Sequence, residues 1–388
     1  MSIKYKIVDQ VKFKNGQTNN KLHFLVIVLL LIGCVNNEPQ TPDDIAQGSL
    51  IVDTHIDVPY RIKAQYDATG KFEDIASYTS FDFDYPKAIE GGLNLPFFSI
   101  YLPAQTEADG TSFTLANELI DMMNKIIEAN SDKFFFVDTS TYLGNLPGQN
   151  LIGIAYGMEN GAALENDLAN VEYFFNRGIR YITLTHSKSN HISDSSYDAN
   201  KRWGGLSDFG KSLIPEMNKI GIMVDISHVS DAAFMQAIEI SNTPVIASHS
   251  SLRHFTPEWE RNVSDEMLIA LAAKGGVLQI NFGTAFLTNV NDKSVGYDPM
   301  TYQHASVADV VDHIDRVVEL VGIDYVGIGS DYDGVGDTLP EGLKDASSYP
   351  ALVAELQKRG YSTNEIQQIL GENFVRVWRE VEEYARNN

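Results

Sequence analysis

The chain has 388 residues, of which 44% are hydrophobic, and a formal net charge of −23 at pH 7. A chain of this size can bury a large core, either as two domains or as one α/β barrel. The acidic balance argues against a nucleic-acid partner, because phosphate binding requires a basic surface. No Pro/Ser-rich linker, low-complexity tract or internal repeat interrupts the sequence after residue 45, which favours a single domain.

The first 34 residues have the composition of an export signal. Five lysines precede an apolar run at residues 24–32. The run is short for a bilayer span and is typical of the hydrophobic region of a secretory signal peptide. It ends in Leu31-Ile32-Gly33-Cys34, which resembles a bacterial lipobox, the motif whose cysteine becomes the lipidated first residue of the mature protein. We therefore expect an exported bacterial lipoprotein, anchored to a membrane through Cys34.

On this interpretation residues 1–33 are a lipoprotein signal peptide, residues 34–44 a tether and residues 45–388 the folded domain. The alternative is an ordinary signal peptide or an uncleaved anchor, in which Cys34 is incidental. Cys34 is the only cysteine in the sequence. If Cys34 is lipidated, no thiol is left to form a disulfide, so any homodimer is expected to be non-covalent.

From residue 45 onward, strand-like apolar runs alternate with amphipathic segments, a pattern typical of a parallel sheet covered by helices. Eight runs are strand candidates: residues 50–54, 93–101, 151–156, 179–184, 222–226, 244–247, 276–280 and 325–328. Helical patterns between them include residues 113–129, 168–177, 209–220, 231–241, 265–273 and 307–321. Eight βα units predict a single (β/α)8 TIM barrel. An open doubly wound sheet is the alternative, but it usually has fewer strands and binds ligands at one switch point.

Polar side chains follow six of the eight predicted strands at the point where each strand ends. In a TIM barrel, catalytic groups lie at these carboxyl ends. One histidine in such a position is commonly structural, but four histidines and three acids around one ring indicate a metal site. The residues are His55, Asp57, Glu159, His186, His228, His249 and Asp331.

The predicted ligands favour zinc and hydrolytic chemistry. Nitrogen and carboxylate donors without thiolates suit Zn²⁺, with Mn²⁺, Fe²⁺ or Co²⁺ as alternatives. Three histidines and two carboxylates are too many for one catalytic zinc with an open position, but they suit two ions if one carboxylate bridges them. Such a pair generates a hydroxide nucleophile at neutral pH and polarises a carbonyl.

The motifs around these residues resemble those of the membrane (renal) dipeptidases, peptidase family M19 of the amidohydrolase-like superfamily. They occur in family order and span about residues 48–384. The motifs are Asp53-Thr-His-Ile-Asp57, Gly157-Met-Glu159, Leu184-Thr-His-Ser187, Gly205-Leu-Ser-Asp-Phe-Gly210, Asp225-Ile-Ser-His-Val-Ser230, Ser248-His-Ser-Ser251, Arg261-Asn-Val263 and Gly329-Ser-Asp-Tyr-Asp-Gly-Val335. The resemblance implies a metal-dependent hydrolase barrel that cleaves dipeptides with two zinc ions.

The resemblance also implies a role for each ligand. His55 and Asp57 are expected to hold the first zinc, His228 and His249 the second, and Glu159 to bridge them. The position after the bridging residue often carries glycine in the family, whereas this chain has Asn160. That departure is expected to alter a loop without removing a ligand.

Three further residues correspond to substrate-handling positions of the family. His186 is expected to stabilise the oxyanion that forms on the scissile carbonyl. Arg261 is expected to bind the C-terminal carboxylate of the dipeptide, although its local sequence also suits a surface salt bridge. Asp331 is expected to bind substrate and to pass a proton from the attacking water to the leaving amine, while Asp333 only orients neighbouring groups. Acceptance of a D-residue at the C-terminal side of the dipeptide stays open.

Two other functions compete with this one. Other amidohydrolases normally show His-X-His after the first strand and a bridging lysine, whereas this chain has His55-X-Asp57 and Glu159. A peptide-binding lipoprotein that has lost catalysis would be expected to lack at least one ligand. The remaining histidines are expected to be structural or solvent-facing, and the aromatic residues Tyr156, Trp203 and Phe282 are expected in the core rather than in the pocket.

Overall fold

The computed structural model of the protein describes residues 40–294 and 296–388. The predicted signal peptide, the predicted lipidation site Cys34 and the tether up to residue 39 lie outside these residues. Helix α1 (Pro42–Gly48) begins three residues before the predicted domain boundary at residue 45, because Thr41 accepts a hydrogen bond from the Asp44 backbone N–H and caps the helix. Across residues 40–294 and 296–388, no helix is both long and apolar enough to cross a membrane.

Eight parallel strands close into a barrel. Nine strands occur in the described residues: β1 (Ile51–Ile56), β2 (Leu93–Tyr101), β3 (Phe134–Phe136), β4 (Ile152–Glu159), β5 (Ile179–Thr183), β6 (Met223–Asp225), β7 (Ile246–Ser250), β8 (Val277–Ile280) and β9 (Val326–Ile328). The order is β2-β1-β9-β8-β7-β6-β5-β4, and β4 pairs back to β2. The start of β4 pairs instead with β3, which lies outside the closed ring. The predicted (β/α)8 TIM barrel is confirmed, and β3 is a strand that the sequence pattern did not predict.

Helices cover the outside of the barrel. After α1 they are α2 (Val58–Thr69), α3 (Tyr85–Gly91), α4 (Gln105–Asp109), α5 (Ser112–Ala129), α6 (Ala169–Asn176), α7 (Asp208–Ile220), α8 (Asp231–Ile240), α9 (Asp265–Ala273), α10 (Thr284–Leu287), α11 (Val307–Val321), α12 (Tyr349–Arg359), α13 (Thr363–Gln367) and α14 (Asn373–Asn387). Helix α11 shows why they form. Val310, Ile314 and Val317 recur at helical spacing and are buried against the barrel.

The amino end of the barrel is closed by aromatic side chains. Phe97 points inward from β2, and its ring lies 5.1 Å from that of Phe374 and 5.3 Å from that of Trp378 on α14. All three side chains are buried. A packed layer at this end leaves the carboxyl ends of the strands as the open mouth of the barrel, where functional groups of this fold lie.

Candidate metal centre

The barrel brings the seven predicted polar side chains to one point at its mouth. His55 and His249 lie within β1 and β7, and Glu159 is the last residue of β4. The remaining four follow the ends of their strands: Asp57, His186, His228 and Asp331. His228 and Asp331 have φ angles of 68° and 64°, a region that non-glycine residues seldom adopt and that clusters at functional sites.

Glu159 occupies the centre of this group. Its Oε1 atom lies 3.2 Å from His228 Nε2, 3.3 Å from His249 Nε2 and 3.6 Å from His186 Nε2. Its other oxygen, Oε2, lies 3.6 Å from His55 Nε2. One oxygen of this carboxylate therefore faces three imidazole nitrogens and the other faces the fourth.

Hydrogen bonds to His55 leave its inner nitrogen free to bind a cation. The Tyr181 hydroxyl donates to the Thr54 carbonyl at 2.9 Å and lies 3.0 Å from His55 Nδ1. Because the hydrogen of that hydroxyl goes to Thr54, the neutral form of His55 carries its hydrogen on Nδ1 and its lone pair on Nε2. His55 Nε2 is buried and has no hydrogen-bond partner in the part of the chain that the structure describes. A Cβ at Gly157 would collide with the Tyr181 ring, so this glycine makes room for the residue that orients His55.

The donor atoms form three groups in which every atom lies within 4.8 Å of the others. The groups are His55 with Glu159 and His249, Glu159 with His186 and His228, and His55 with Asp57 and Asp331. Glu159 and His55 each belong to two groups, so these two residues connect the groups to one another. His186 and Asp331, which were predicted to act on substrate and not to bind metal, each belong to one of these groups.

Glu159 is ionised although it is buried. Burial alone would raise its pKa, but the positive charge of His55 and a hydrogen bond from His228 hold the pKa well below its ordinary value. An ionised carboxylate can use both oxygens as ligands. The electrostatics thus keep Glu159 in the form that a bridging role requires.

The imidazoles that face Glu159 Oε1 are kept neutral. Burial lowers the pKa of His186 and lowers that of His228 and His249 much further. The positive charge of Arg261 adds to the effect on His228. A neutral imidazole offers one nitrogen lone pair, which is the form that binds zinc.

The pKa values of His55 and Asp331 are raised instead of lowered. Burial opposes protonation of His55, but Tyr181, Glu159 and Asp57 together raise its pKa well above the ordinary value. Positive charge is therefore stabilised at the point where a cation would lie between these groups. Burial raises the pKa of Asp331 to about 7, so this carboxyl group can hold or release a proton near neutrality.

Arg261 is a buried residue of the site and not a member of a surface salt bridge. Only 3% of its surface is exposed. One guanidinium nitrogen donates to Ser250 Oγ at 2.6 Å and the other to the His249 carbonyl at 2.7 Å. The guanidinium also lies 5.0 Å from the Phe286 ring. These contacts hold a positive charge close to His186, His228 and His249.

A cavity of about 820 Å³ opens over the cluster and has an aromatic lining. His186 borders it, with the Tyr101 ring 4.8 Å away. The aromatic residues that line the cavity were not predicted from the sequence; they are Tyr60, Phe81, Tyr101, Tyr197 and Phe286. Of these residues only Tyr101 could have been found from the sequence, because it is the last residue of β2 and functional side chains of a barrel lie at the strand ends.

The residues predicted to lie away from the site do so, with one correction. Tyr156 and Phe282 are fully buried. Trp203 was expected in the core but is 46% exposed, and its indole N–H donates to the Asn190 carbonyl. It does not line the main cavity. None of His191, His254, His304 and His313 joins the cluster, whereas His23 lies outside the described residues.

Residues 40–388 match the membrane dipeptidases, peptidase family M19. The chain belongs to the membrane dipeptidase family. Dipeptidase 3 of Mus musculus is 31% identical over 337 residues, which cover 86% of this chain and 64% of that protein. The chain therefore spans slightly less than two thirds of that relative. An uncharacterized dipeptidase of Schizosaccharomyces pombe is 34% identical over 357 residues, which cover 87% of this chain and 82% of that protein.

A solved structure has the same fold as this membrane dipeptidase family member. It is a metallo peptidase from Rhodobacter sphaeroides liganded with a phosphinate mimic of the dipeptide L-Ala-D-Ala. The TM-score is 0.73 and the identity 23%, with 86% of this chain and 99% of that chain covered. The resemblance inferred from the sequence motifs is confirmed at the level of family and fold.

Asn160 stabilises the loop that follows the central carboxylate. Asn160 has a φ angle of 73°, a left-handed conformation that asparagine tolerates better than most residues other than glycine. Its side-chain amide donates to the Leu102 carbonyl at 2.8 Å and accepts from the Asn190 amide at 2.9 Å. The side chain thus stabilises the turn, and Glu159 keeps its central position.

Proposed function

We propose that the chain is a zinc-dependent dipeptidase that uses two ions bridged by Glu159. The observation that carries this proposal is the position of the Glu159 carboxylate, whose two oxygens lie within 3.6 Å of four imidazole nitrogens. Membership of the membrane dipeptidase family supports the same reaction. A dipeptide mimic bound to the Rhodobacter sphaeroides relative supports the substrate class.

In this proposal His55 and Asp57 hold one ion and His228 and His249 the other. When bound, the zinc pair activates a water molecule and polarises the scissile carbonyl. Burial of His55, His228 and His249 excludes bulk water from the cluster, which strengthens each electrostatic interaction inside it.

Three side chains then act on the substrate. Arg261 binds the C-terminal carboxylate with its charged fork, because a guanidinium matches a carboxylate in shape and charge. His186 borders the cavity and stabilises the negative charge that develops on the carbonyl oxygen. Asp331 accepts a proton from the attacking water and delivers it to the leaving amine, a role that suits a carboxyl with a pKa of about 7.

A panel of L-L, L-D and D-D dipeptides, incubated with zinc-loaded protein, tests the proposal. We expect cleavage of at least one dipeptide class and loss of that cleavage when a chelator is present. Hydrolysis that persists in the chelator, or no hydrolysis of any dipeptide, contradicts the proposal. The L-D member of the panel also decides whether a D-residue is accepted at the C-terminal side.

We also propose that the enzyme is an exported lipoprotein anchored to a membrane through Cys34. The lysine-rich segment, the apolar run and the sequence Leu31-Ile32-Gly33-Cys34 support this. Labelling of cells with a palmitate analogue is expected to mark the wild type and not a Cys34→Ser variant. Equal labelling of both proteins, or of neither, contradicts the anchor without affecting the proposed reaction.

A further inference from the structure

Asp225 is a fully buried carboxylate at the end of β6 that accepts four hydrogen bonds. Its Oδ1 atom accepts from the backbone N–H groups of Ser227 at 3.1 Å and Ser248 at 2.9 Å. Its Oδ2 atom accepts from the Ser248 hydroxyl at 2.6 Å and from the Thr183 hydroxyl. Asp225 therefore joins the three neighbouring strands β5, β6 and β7, although none of its own atoms belongs to the candidate metal-binding groups.

The Ser248 hydroxyl links this carboxylate to a predicted zinc ligand. Ser248 Oγ lies 2.7 Å from His249 Nδ1. Because the single hydrogen of Ser248 is donated to Asp225, its oxygen must accept from His249, and His249 Nδ1 carries the hydrogen. The lone pair of His249 is then on Nε2, which lies 3.3 Å from Glu159 Oε1.

The other buried imidazoles lack such a link to a charge. His228 Nδ1 is buried and has no hydrogen-bond partner among residues 40–294 and 296–388. His55 Nδ1 contacts the Tyr181 hydroxyl, which ends on the neutral carbonyl of Thr54. His249 is thus distinguished by a carboxylate behind its outer nitrogen. A negative charge at that position fixes the tautomer of an imidazole and increases its basicity toward a metal.

We propose that Asp225 is a positioning residue that acts through Ser248 to set the zinc affinity of the site containing His249. The inference rests on the proposed function, because it requires that His249 bind zinc. It goes further in predicting that the two zinc sites differ in their dependence on one buried acid. Loss of a comparable partner behind a metal-bound histidine typically weakens metal binding by about 10- to 100-fold.

The substitution Asp225→Asn should reverse the direction of the two hydrogen bonds that connect residue 225 to Ser248 and Ser248 to His249. The Oδ1 position faces two backbone N–H groups, from Ser227 and Ser248, which can only donate. The amide nitrogen must therefore take the Oδ2 position and donate to Ser248 Oγ. Ser248 would then donate its hydrogen to His249 Nδ1, and the hydrogen of the ring would move to Nε2. In that tautomer the nitrogen that faces the cluster has no lone pair for zinc.

The chain offers a matched pair of variants for the test. Ser248→Ala and Thr183→Val each remove one hydroxyl that donates to the same oxygen of Asp225. Only the Ser248 hydroxyl continues to His249, so only its loss should change zinc binding. The zinc content and both dissociation constants of the full chain are measured by competition with a chromophoric chelator, and thermal unfolding is recorded for each variant.

We expect Thr183→Val to bind two ions as tightly as the wild type, whatever its unfolding temperature. Ser248→Ala is expected to bind one ion about 10- to 100-fold more weakly, and Asp225→Asn to be affected at least as strongly. If Asp225→Asn fails to fold, Ser248→Ala still decides the question. Equal affinities in Ser248→Ala and the wild type, or equal losses in Ser248→Ala and Thr183→Val, overturn the inference. A wild type that binds no zinc overturns the proposed function as well.

Discussion

The Nε2 atoms of His228 and His249 lie 2.8 Å apart, and both rings are buried. Burial lowers the pKa of each imidazole well below its ordinary value, so the pair stays neutral. Without a metal ion, at most one of the two nitrogens can donate a hydrogen to the other. A cation uses both lone pairs at once. The short distance between these two neutral nitrogens therefore predicts that zinc stabilises the folded protein.

Removal of zinc is expected to lower the unfolding temperature, because an ion that binds only the folded state stabilises it. The gain is about 4 kcal/mol for an ion present at a thousand times its dissociation constant. Thermal unfolding of zinc-loaded protein, of chelator-treated protein and of protein reloaded with zinc measures the effect. Reloading with Mg²⁺ serves as a control, because Mg²⁺ disfavours nitrogen ligands and should not restore stability. Identical melting curves with and without zinc would contradict the prediction.

The substitution Glu159→Gln is expected to lower zinc content and turnover together. The amide of glutamine has only one acceptor oxygen, so it cannot bind a cation with each of two oxygens as the Glu159 carboxylate can. We expect the variant to bind at least one ion fewer than the wild type and to lose about 100-fold or more in kcat. Metal analysis and dipeptide hydrolysis are measured on the same samples. Exposed Glu172 provides the matched control Glu172→Gln, and full zinc occupancy with normal turnover in Glu159→Gln would refute the bridging role.

Arg261→Lys keeps the positive charge but removes the planar fork, so it tests recognition of the substrate carboxylate. We expect kcat/KM for a dipeptide to fall by about 10- to 100-fold, mainly through KM, because a hydrogen bond to a charged group contributes about 1.5–3 kcal/mol. The same variant should lose much less on a dipeptide amide, which lacks the carboxylate. Arg253→Lys is the control, since Arg253 pairs with Asp231 instead. Equal losses on both substrates would mean that Arg261 acts only through protein structure.

Asp331→Asn is expected to reduce turnover without weakening substrate binding to the same degree. The amide is nearly isosteric with the carboxyl group, but it cannot carry a proton from water to the leaving amine. We expect kcat to fall by about 100- to 10,000-fold, the range typical of general acid–base groups. Asp333→Asn is the comparison, because Asp333 also has a positive φ angle but accepts from Arg61 and the Asp82 backbone. A loss in Asp333→Asn as large as that in Asp331→Asn would argue against proton transfer by Asp331.

The sequence predicted the barrel and the cluster well because both depend on strand ends. His55 and Asp57 follow an apolar run at a spacing that a parallel strand directs to the barrel mouth, and the observed β1 and β4 end within a few residues of the predicted bounds. In a closed parallel barrel all these ends meet in one ring. Polar residues at successive strand ends could therefore be placed together without any knowledge of long-range packing.

The aromatic lining and the supporting hydrogen bonds could not be predicted in this way. Phe81 lies in the loop before α3, and its contact with the Arg61 guanidinium at 4.2 Å depends on how that loop folds over α2. Arg261 lies far along the loop between β7 and α9, and its inward direction depends on Ser250 and the His249 carbonyl. Such contacts join distant residues without a repeating pattern, so periodicity carries no information about them.

His313 on α11 makes the stability of the fold depend on pH independently of the metal centre. The ring is fully buried; Nδ1 accepts from the Leu252 backbone N–H at 3.0 Å, and Nε2 donates to the Leu287 carbonyl at 3.0 Å. Burial lowers the pKa of His313 to about 4, against 6.5 for an unperturbed histidine. Protonation would place a second N–H against the Leu252 donor, so the folded state favours the neutral ring.

The sign of the effect follows from the lowered pKa of His313. Between pH 6.5 and about 4 the unfolded chain binds a proton that the folded chain does not. The contribution of His313 to the free energy of unfolding is thus fully present above pH 6.5. It falls by about 3 kcal/mol as the pH falls toward 4. Urea unfolding of the wild type and His313→Gln, both without metal, should give a difference in unfolding free energy that shrinks by this amount between pH 7 and pH 4. A constant difference, or an equal change in a His304→Gln control, would mean that His313 does not cause the acid sensitivity.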